Sequence, residues 1–196
     1  AKATLNHLSM ILMKQHFLRV VLLVLSLSVF SNSNIRAQFG PGGVYVGPEL
    51  GAGVTGGVPA FGIHAEIPIV GQGKIGTGTV GLALRVNYWK WEAEPVNANP
   101  DYHFTYTYIP AVAFINYHFI LGNHTLDPYV GIGAGYQVIT WVWHGLLDGK
   151  IWVPNTSGLI IAGQVGARYF FSPTFALLMN FGFGLANVGI GADFRL

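Results

Sequence analysis

From residue 43 onward, bulky apolar side chains tend to recur at every second position, in runs separated by clusters of Gly, Pro, Asn and Asp. A period of two puts alternate residues on opposite faces of a sheet. Eight strands are predicted, over 43–53, 60–70, 77–91, 103–119, 127–141, 158–171, 174–185 and 187–196. The pattern is clearest late in the chain. In the sixth run Leu159, Ile161, Val165, Ala167, Tyr169 and Phe171 share one face, and Ala162, Gln164, Gly166 and Arg168 the other. In the seventh, Phe175, Leu177, Met179, Phe181 and Phe183 oppose Ala176, Asn180, Gly182 and Gly184. In the eighth, Val188, Ile190, Ala192, Phe194 and Leu196 oppose Gly189, Gly191, Asp193 and Arg195.

One face is bulky and oily; the other is tiny, with isolated ions. A face of Gly and Ala is a poor surface toward water and a good cramped interior. Eight strands closed on themselves leave room for side chains but not for an open channel. The expectation is therefore an inverted molecule, with large apolar side chains toward lipid and small or polar ones inward. That fold class is an all-β, eight-stranded, antiparallel up-and-down transmembrane barrel. Short connections near 71–76, 120–126 and 172–173 are expected on the periplasmic side. Those near 54–59, 92–102, 142–157 and 186 are expected outside, where the longer loops of such barrels lie.

Composition sharpens this picture. Apolar residues make up 52% of the 196 and charged residues 9%, against about 25% charged in a typical soluble domain. No apolar run reaches the ~18 residues of a membrane-spanning helix, while Gly occurs 27 times. Cysteine is absent, which excludes disulfides, thiolate metal sites and Cys nucleophiles. Lys2, Lys14, Arg19 and Arg36 precede residue 38, and no acid does; beyond it six Lys and Arg face eight Asp and Glu. Nothing here resembles a basic patch for nucleic acid.

The first 37 residues read as an address. Lys14, His16 and Arg19 precede the apolar stretch Val20–Phe30, and Ser31–Ala37 is short and mostly polar. This is the order of a secretory signal peptide, cleaved after Ala37 or one residue later, with Met10 or Met13 as a plausible start. The division expected is 1–37 as upstream residues and signal, and 38–196 as the barrel domain.

Aromatic residues gather in two groups, as the two membrane interfaces would require. One holds Tyr88, Trp89, Trp91, Tyr102, Phe104, Tyr106, Tyr108, Trp141, Trp143 and Trp152. The other holds Tyr117, Phe119, Tyr129, Tyr169, Phe170, Phe171 and Phe175. Pro48 and Pro110 fall inside strands, where bulges are expected. The fourth run is nearly all apolar; Asn116 and His118 are assigned inward.

Candidate chemistry concentrates on the inward face. Glu49, Glu66 and Asp193 are set against Arg85, Arg168 and Arg195, three acids and three bases, as a buried ion-pair plug needs. His64, Gln137, Gln164 and Asn180 complete a predicted lumen polar network. His64 and Glu66, two apart on one strand, could instead ligate a metal or act as acid and base; the plug is the preferred reading. Gly51–Gly56 and Gly71–Gly76 match a dinucleotide-binding glycine pattern, but neither opens a helix, so no cofactor is assigned. No catalytic or metal-binding residue is assigned either. In the region past residue 37 no His is followed two residues on by Ser, and His103-Phe104-Thr105 comes nearest.

Several segments resemble the OmpA/OmpX-like family of eight-stranded outer-membrane barrels, broadly called porin-family proteins. They are Asp127-Pro-Tyr-Val-Gly-Ile-Gly-Ala-Gly-Tyr136, Gly166-Ala-Arg-Tyr-Phe170 and Gly189-Ile-Gly-Ala-Asp-Phe-Arg-Leu196, together with the signal ending Ala37-Gln38. The signal and barrel look similar to those of Bacteroidota. The resemblance implies residence in a bacterial outer membrane and contact with its lipids and lipopolysaccharide. It also implies handling by the barrel-assembly machinery, and it brings no shared catalytic residues. Family barrels usually end in an aromatic; Leu196 departs from this, although Phe194 shares its face. The expected role is non-enzymatic, structural or surface-interacting, with the lumen plugged and any recognition on the outer loops. The alternatives are a small-solute or ion pore, a lipid-modifying outer-membrane enzyme, and a soluble lipocalin-like carrier.

Overall fold

The computed structural model describes residues 39–53, 57–93, 103–122, 125–144 and 157–196. The predicted leader, Tyr102, Trp152 and most of the two longest connections lie outside the described residues. Eight strands follow one another: β1 (Tyr45–Gly53), β2 (Pro59–Val70), β3 (Thr79–Glu92), β4 (His103–His118), β5 (Leu126–His144), β6 (Gly158–Ser172), β7 (Phe175–Phe183) and β8 (Ala186–Arg195). Each pairs antiparallel with the next, and β1 pairs with β8 from Tyr45↔Arg195 to Gly53↔Ala186. The sheet is closed, so it presents no free lateral edge along its length.

The predicted parity holds in β6, β7 and β8. Ile161 is 70% exposed and Ile132, on β5, 68%; Arg168 and Asp193 are each 1% exposed. Facing water, each such isoleucine would forgo about 1.5–3 kcal/mol of transfer free energy. The outer surface is continuous in this respect, running through Phe61, Ile63, Leu84, Ile115, Val130, Phe181 and Ile190. Inside, glycines make room for rings. A Cβ on Gly133 would lie 2.7 Å from the Phe114 ring and 2.6 Å from the Ala113 carbonyl oxygen.

Two expectations need correction. Pro48 and Pro110 do not create bulges. Pro48 keeps its partner Ile63 on β2, but the β1–β8 pairing skips Gly47 and Pro48 with the register unchanged on either side. Pro110 keeps Gln137 on β5, while the β3–β4 pairing skips it. A proline lacks only one donor, so the ladder opens on one side and closes again in step. The register shifts lie elsewhere, at Ala52/Gly53, Pro68/Val70 and Phe170/Ser172.

The second correction concerns the aromatics. Interfacial anchors must face lipid. In the second group Tyr117, Phe119, Tyr169, Phe171 and Phe175 do so by parity, with ring contacts of 5.0–5.9 Å along Tyr169, Phe171, Phe175 and the added Phe194, whereas Tyr129 and Phe170 are buried inside. Among the described members of the other group only Tyr88, 40% exposed, has outward parity. Trp89, Trp91, Phe104, Tyr106, Tyr108, Trp141 and Trp143 share the inward parity of their strands. Trp89 and Tyr108 stack at 5.2 Å and are buried, with Trp91, Tyr106 and Ile139 packed against them. They fill the barrel mouth rather than ring its outside.

The two ends of the barrel differ. Both chain ends of the barrel and the connections 71–78, 119–125 and 173–174 share one end, called here the terminal end. The connections 54–58, 93–102, 145–157 and 184–185 share the other, the loop end. Wall height is uneven. With a rise of ~3.4 Å per residue and ~40° tilt, the nine residues of β7 rise about 23 Å, enough for the ~25 Å apolar band. The 19 residues of β5 rise about 50 Å on the same geometry, so β5 stands well clear of the band.

Candidate functional site

The lumen is the chemically rich part of the molecule, and most strands contribute to it. Arg168 on β6 is the hub. Its Nε donates to Asp193 on β8, its Nη2 donates to Glu66 on β2, and its Nη1 lies 3.5 Å from Asp127 at the start of β5. His118 on β4 bridges two of the same carboxylates, with Nδ1 3.0 Å from Asp127 and Nε2 2.9 Å from Glu66. Asn116 donates to Glu66 at 2.7 Å, and Gln164 donates to Asn116 at 2.7 Å. Toward the loop end, His64 Nε2 lies 2.5 Å from Asp193. Glu49 sits 3.7 Å from His64 Nδ1 and 3.6 Å from Arg85.

Glu49, His64, Glu66, Arg85, Arg168 and Asp193 thus meet in one cluster, with Gln164 reached through Asn116. Asn180 is buried beside them. Gln137 keeps the inward parity of β5 but lies nearer the loop end and is half-buried. Arg195 stands at the terminal mouth, half-buried, its guanidinium carbon 5.8 Å from the centre of the Tyr45 ring. His64 and Glu66 engage different partners rather than one shared centre. Among the described residues no three His, Asp or Glu side chains are grouped to hold a metal ion.

Sequence reasoning missed Asp127 as a member of this cluster and gave His118 no partner. The signal was present. Asp127 has the parity of Tyr129, Gly131, Gly133 and Gly135, the small inward face of β5. With Asp127 the cluster holds four carboxylates against the guanidiniums of Arg85 and Arg168. Two imidazoles fill the gaps, each with both ring nitrogens turned to carboxylates. A carboxylate only accepts and a neutral imidazole carries one N–H. The geometry therefore suits a proton on each ring nitrogen of His118, which would balance part of the excess negative charge.

Rings stand at both mouths among the described residues. At the loop end stand Trp89, Tyr108, Trp91 and Tyr106. At the terminal end Phe39, Tyr45 and Tyr129 surround Arg168, their ring centres 5.0, 5.6 and 5.4 Å from its guanidinium carbon. Between these rings, beside Arg85, Gln164 and Asn180, lies a cavity of about 10 Å³. That is room for one water, and Gln164 Oε1 and Asn180 Nδ2 have no hydrogen-bond partner among the described residues.

A closed antiparallel sheet, oily outside and ionic within, pairs its backbone internally and offers lipid an apolar face, as crossing a bilayer with strands requires. The chain is an eight-stranded transmembrane β-barrel. No family model matches it, and no curated protein does. Among solved structures, the N-terminal β-barrel domain of Pseudomonas aeruginosa OprF is similar at 18% identity, covering 80% of this chain and 99% of that one, with a TM-score of 0.49. Ail, the attachment invasion locus protein of Yersinia pestis, solved in complex with the heparin analogue sucrose octasulfate, is 13% identical. It covers 79% of this chain and 97% of its own, with a TM-score of 0.48. The outer membrane enzyme PagL is 13% identical, covering 77% and 97%, with a TM-score of 0.43.

Proposed function

We propose that this barrel is a non-enzymatic envelope protein with a sealed lumen, holding its outer loops at the cell surface for a structural or recognition role. The observation that carries the reading is the continuity of the filling: aromatic rings at the loop end, the ion cluster in the middle, and Phe39 with its neighbours at the terminal end. A conducting pore needs a water-filled path, and the cavity beside Asn180 holds about one water. Lipids and lipopolysaccharide would contact the outer face, and the assembly machinery would engage the chain during insertion. Recognition would sit on the connections 93–102 and 145–157, the longest at the loop end.

The test is conductance in a planar bilayer. A barrel that is folded by its heat-modifiable gel mobility and remains electrically silent supports the sealed reading; stepwise currents would replace it with the pore. A second reading has one observation behind it. Thr105 Oγ1 lies 3.1 Å from His144 Nε2 on the exposed rim, and a hydroxyl against an imidazole is how a nucleophile is activated. Incubation with labelled lipopolysaccharide and mass analysis decides it: unchanged lipid is expected, and loss of an acyl chain would establish an enzyme.

A further inference from the structure

Phe39 precedes β1 and belongs to no strand, yet it is only 4% exposed. Its ring stacks on His118 with centroids 3.9 Å apart and planes 16° apart. It lies 4.9 Å from the Tyr45 ring and covers one side of Arg168. The opposite wall is shaped to receive it. Gly81, on the inward face of β3, is where a Cβ would come within 2.9 Å of the Phe39 ring. Phe39 joins a small apolar group with Tyr45, Phe170 and Ala176, contributed by β1, β6 and β7. A buried ring on an imidazole and a guanidinium, opposite a glycine notch, is a seated contact rather than incidental collapse. Arg168 lies over the ring, its guanidinium carbon 5.0 Å from the centre, a cation–π contact that desolvation strengthens.

We propose that Phe39 is a latch: the segment leading into β1 closes the terminal mouth by seating this ring on His118 and Arg168 in the notch left by Gly81. The surface at this mouth thus has an intramolecular partner, the chain's own leading segment. The latch separates the lumen ions from the water at the terminal end. The proposal rests on the sealed-lumen reading and adds to it the part that does the sealing on this side.

The absence of native cysteine makes a clean test possible. Thr79 is 1% exposed, at the terminal end of β3, directly opposite His118 in the β3–β4 register. A Thr79→Cys reporter is placed in the full chain, folded in lipid vesicles, and treated with a membrane-impermeant, water-soluble thiol reagent from the terminal side. Slow labelling is expected. Adding Phe39→Ala should raise the rate about tenfold or more, as opening of a protected site does, while Phe39→Tyr, which keeps a ring, should restore protection. Heat-modifiable mobility checks that each variant is folded; should Phe39→Ala not fold, Phe39→Leu, apolar but unable to stack, takes its place with the same expectation. Labelling that stays equally slow with Phe39 present and with Phe39→Ala would overturn the latch and leave the sealed lumen standing. Fast labelling with Phe39 in place would overturn both.

Discussion

Replacing Arg168 by Met removes the charge at the hub and keeps much of the side-chain length, so the cavity term stays small. The guanidinium contacts three carboxylates, those of Asp193, Glu66 and Asp127, and is 1% exposed. Breaking a buried ion pair by removing one partner costs about 3–5 kcal/mol, because the other charge stays behind without compensation. Glu66 would retain His118 and Asn116, and Asp193 would retain His64, which argues for that range rather than three times it. With a denaturant slope of about 2 kcal/mol per molar urea, the midpoint should fall by roughly 2 M. Urea unfolding of the barrel in lipid vesicles, read by gel mobility and tryptophan emission, measures this. Arg195→Met, at the half-buried mouth, serves as control; an ion near solvent contributes about 0–1 kcal/mol, so its midpoint should move by less than about 0.5 M. Adding Asp193→Asn to Arg168→Met should recover part of the loss, since one uncompensated carboxylate is then gone. A shift for Arg168→Met no larger than the control's would mean that water reaches the cluster, and the sealed lumen would have to be abandoned.

The outer face has its own test. Ile132→Arg places a cation on the lipid side of β5 and should cost about 2–4 kcal/mol near mid-membrane, seen as lost folding yield in vesicles; an unchanged yield would contradict the inverted orientation. Gly133→Val, one residue on and facing inward, should cost about 1–3 kcal/mol by overpacking against Phe114 and the Ala113 carbonyl. Chemical denaturation of the purified barrel would register it, and a neutral result would show that this wall yields easily.

The last three strands could be read from sequence because each carries bulky residues on one parity and Gly, Ala or a single ion on the other. β4 could not. Val112 and Phe114 point inward and Ile109 and Ile115 outward, and an apolar side chain suits both lipid and a packed interior, so the pattern carries no sign. The loop-end aromatics were legible in principle. Trp89 with Trp91, Tyr106 with Tyr108, and Trp141 with Trp143 are each two apart and must share a face; position along the strand suggested an interface where parity placed them inside. Five of the ions that meet in the cluster, Glu49, Glu66, Arg85, Arg168 and Asp193, followed from charge balance on the inward parity, whereas Arg195 stayed at the mouth. Asp127 shared that parity unread, and the pairing of His118 depends on strand register, which no single strand contains. Phe39 lay ahead of every periodic run, so alternation could say nothing about it.

The ionic filling has a consequence for how such a barrel can change over generations. Its members come from β1, β2, β3, β4, β5, β6 and β8, and each side chain answers the charge of another. Removing one exposes its partners to the full penalty, so a conduit through the centre cannot arise by small steps that each remain tolerable. Among the described residues, the ion-pair partners in the cluster all lie on strands, none on a connecting segment. Diversification of this chain should therefore accumulate at its rim while the middle stays locked, and new roles would be acquired by decoration rather than by excavation.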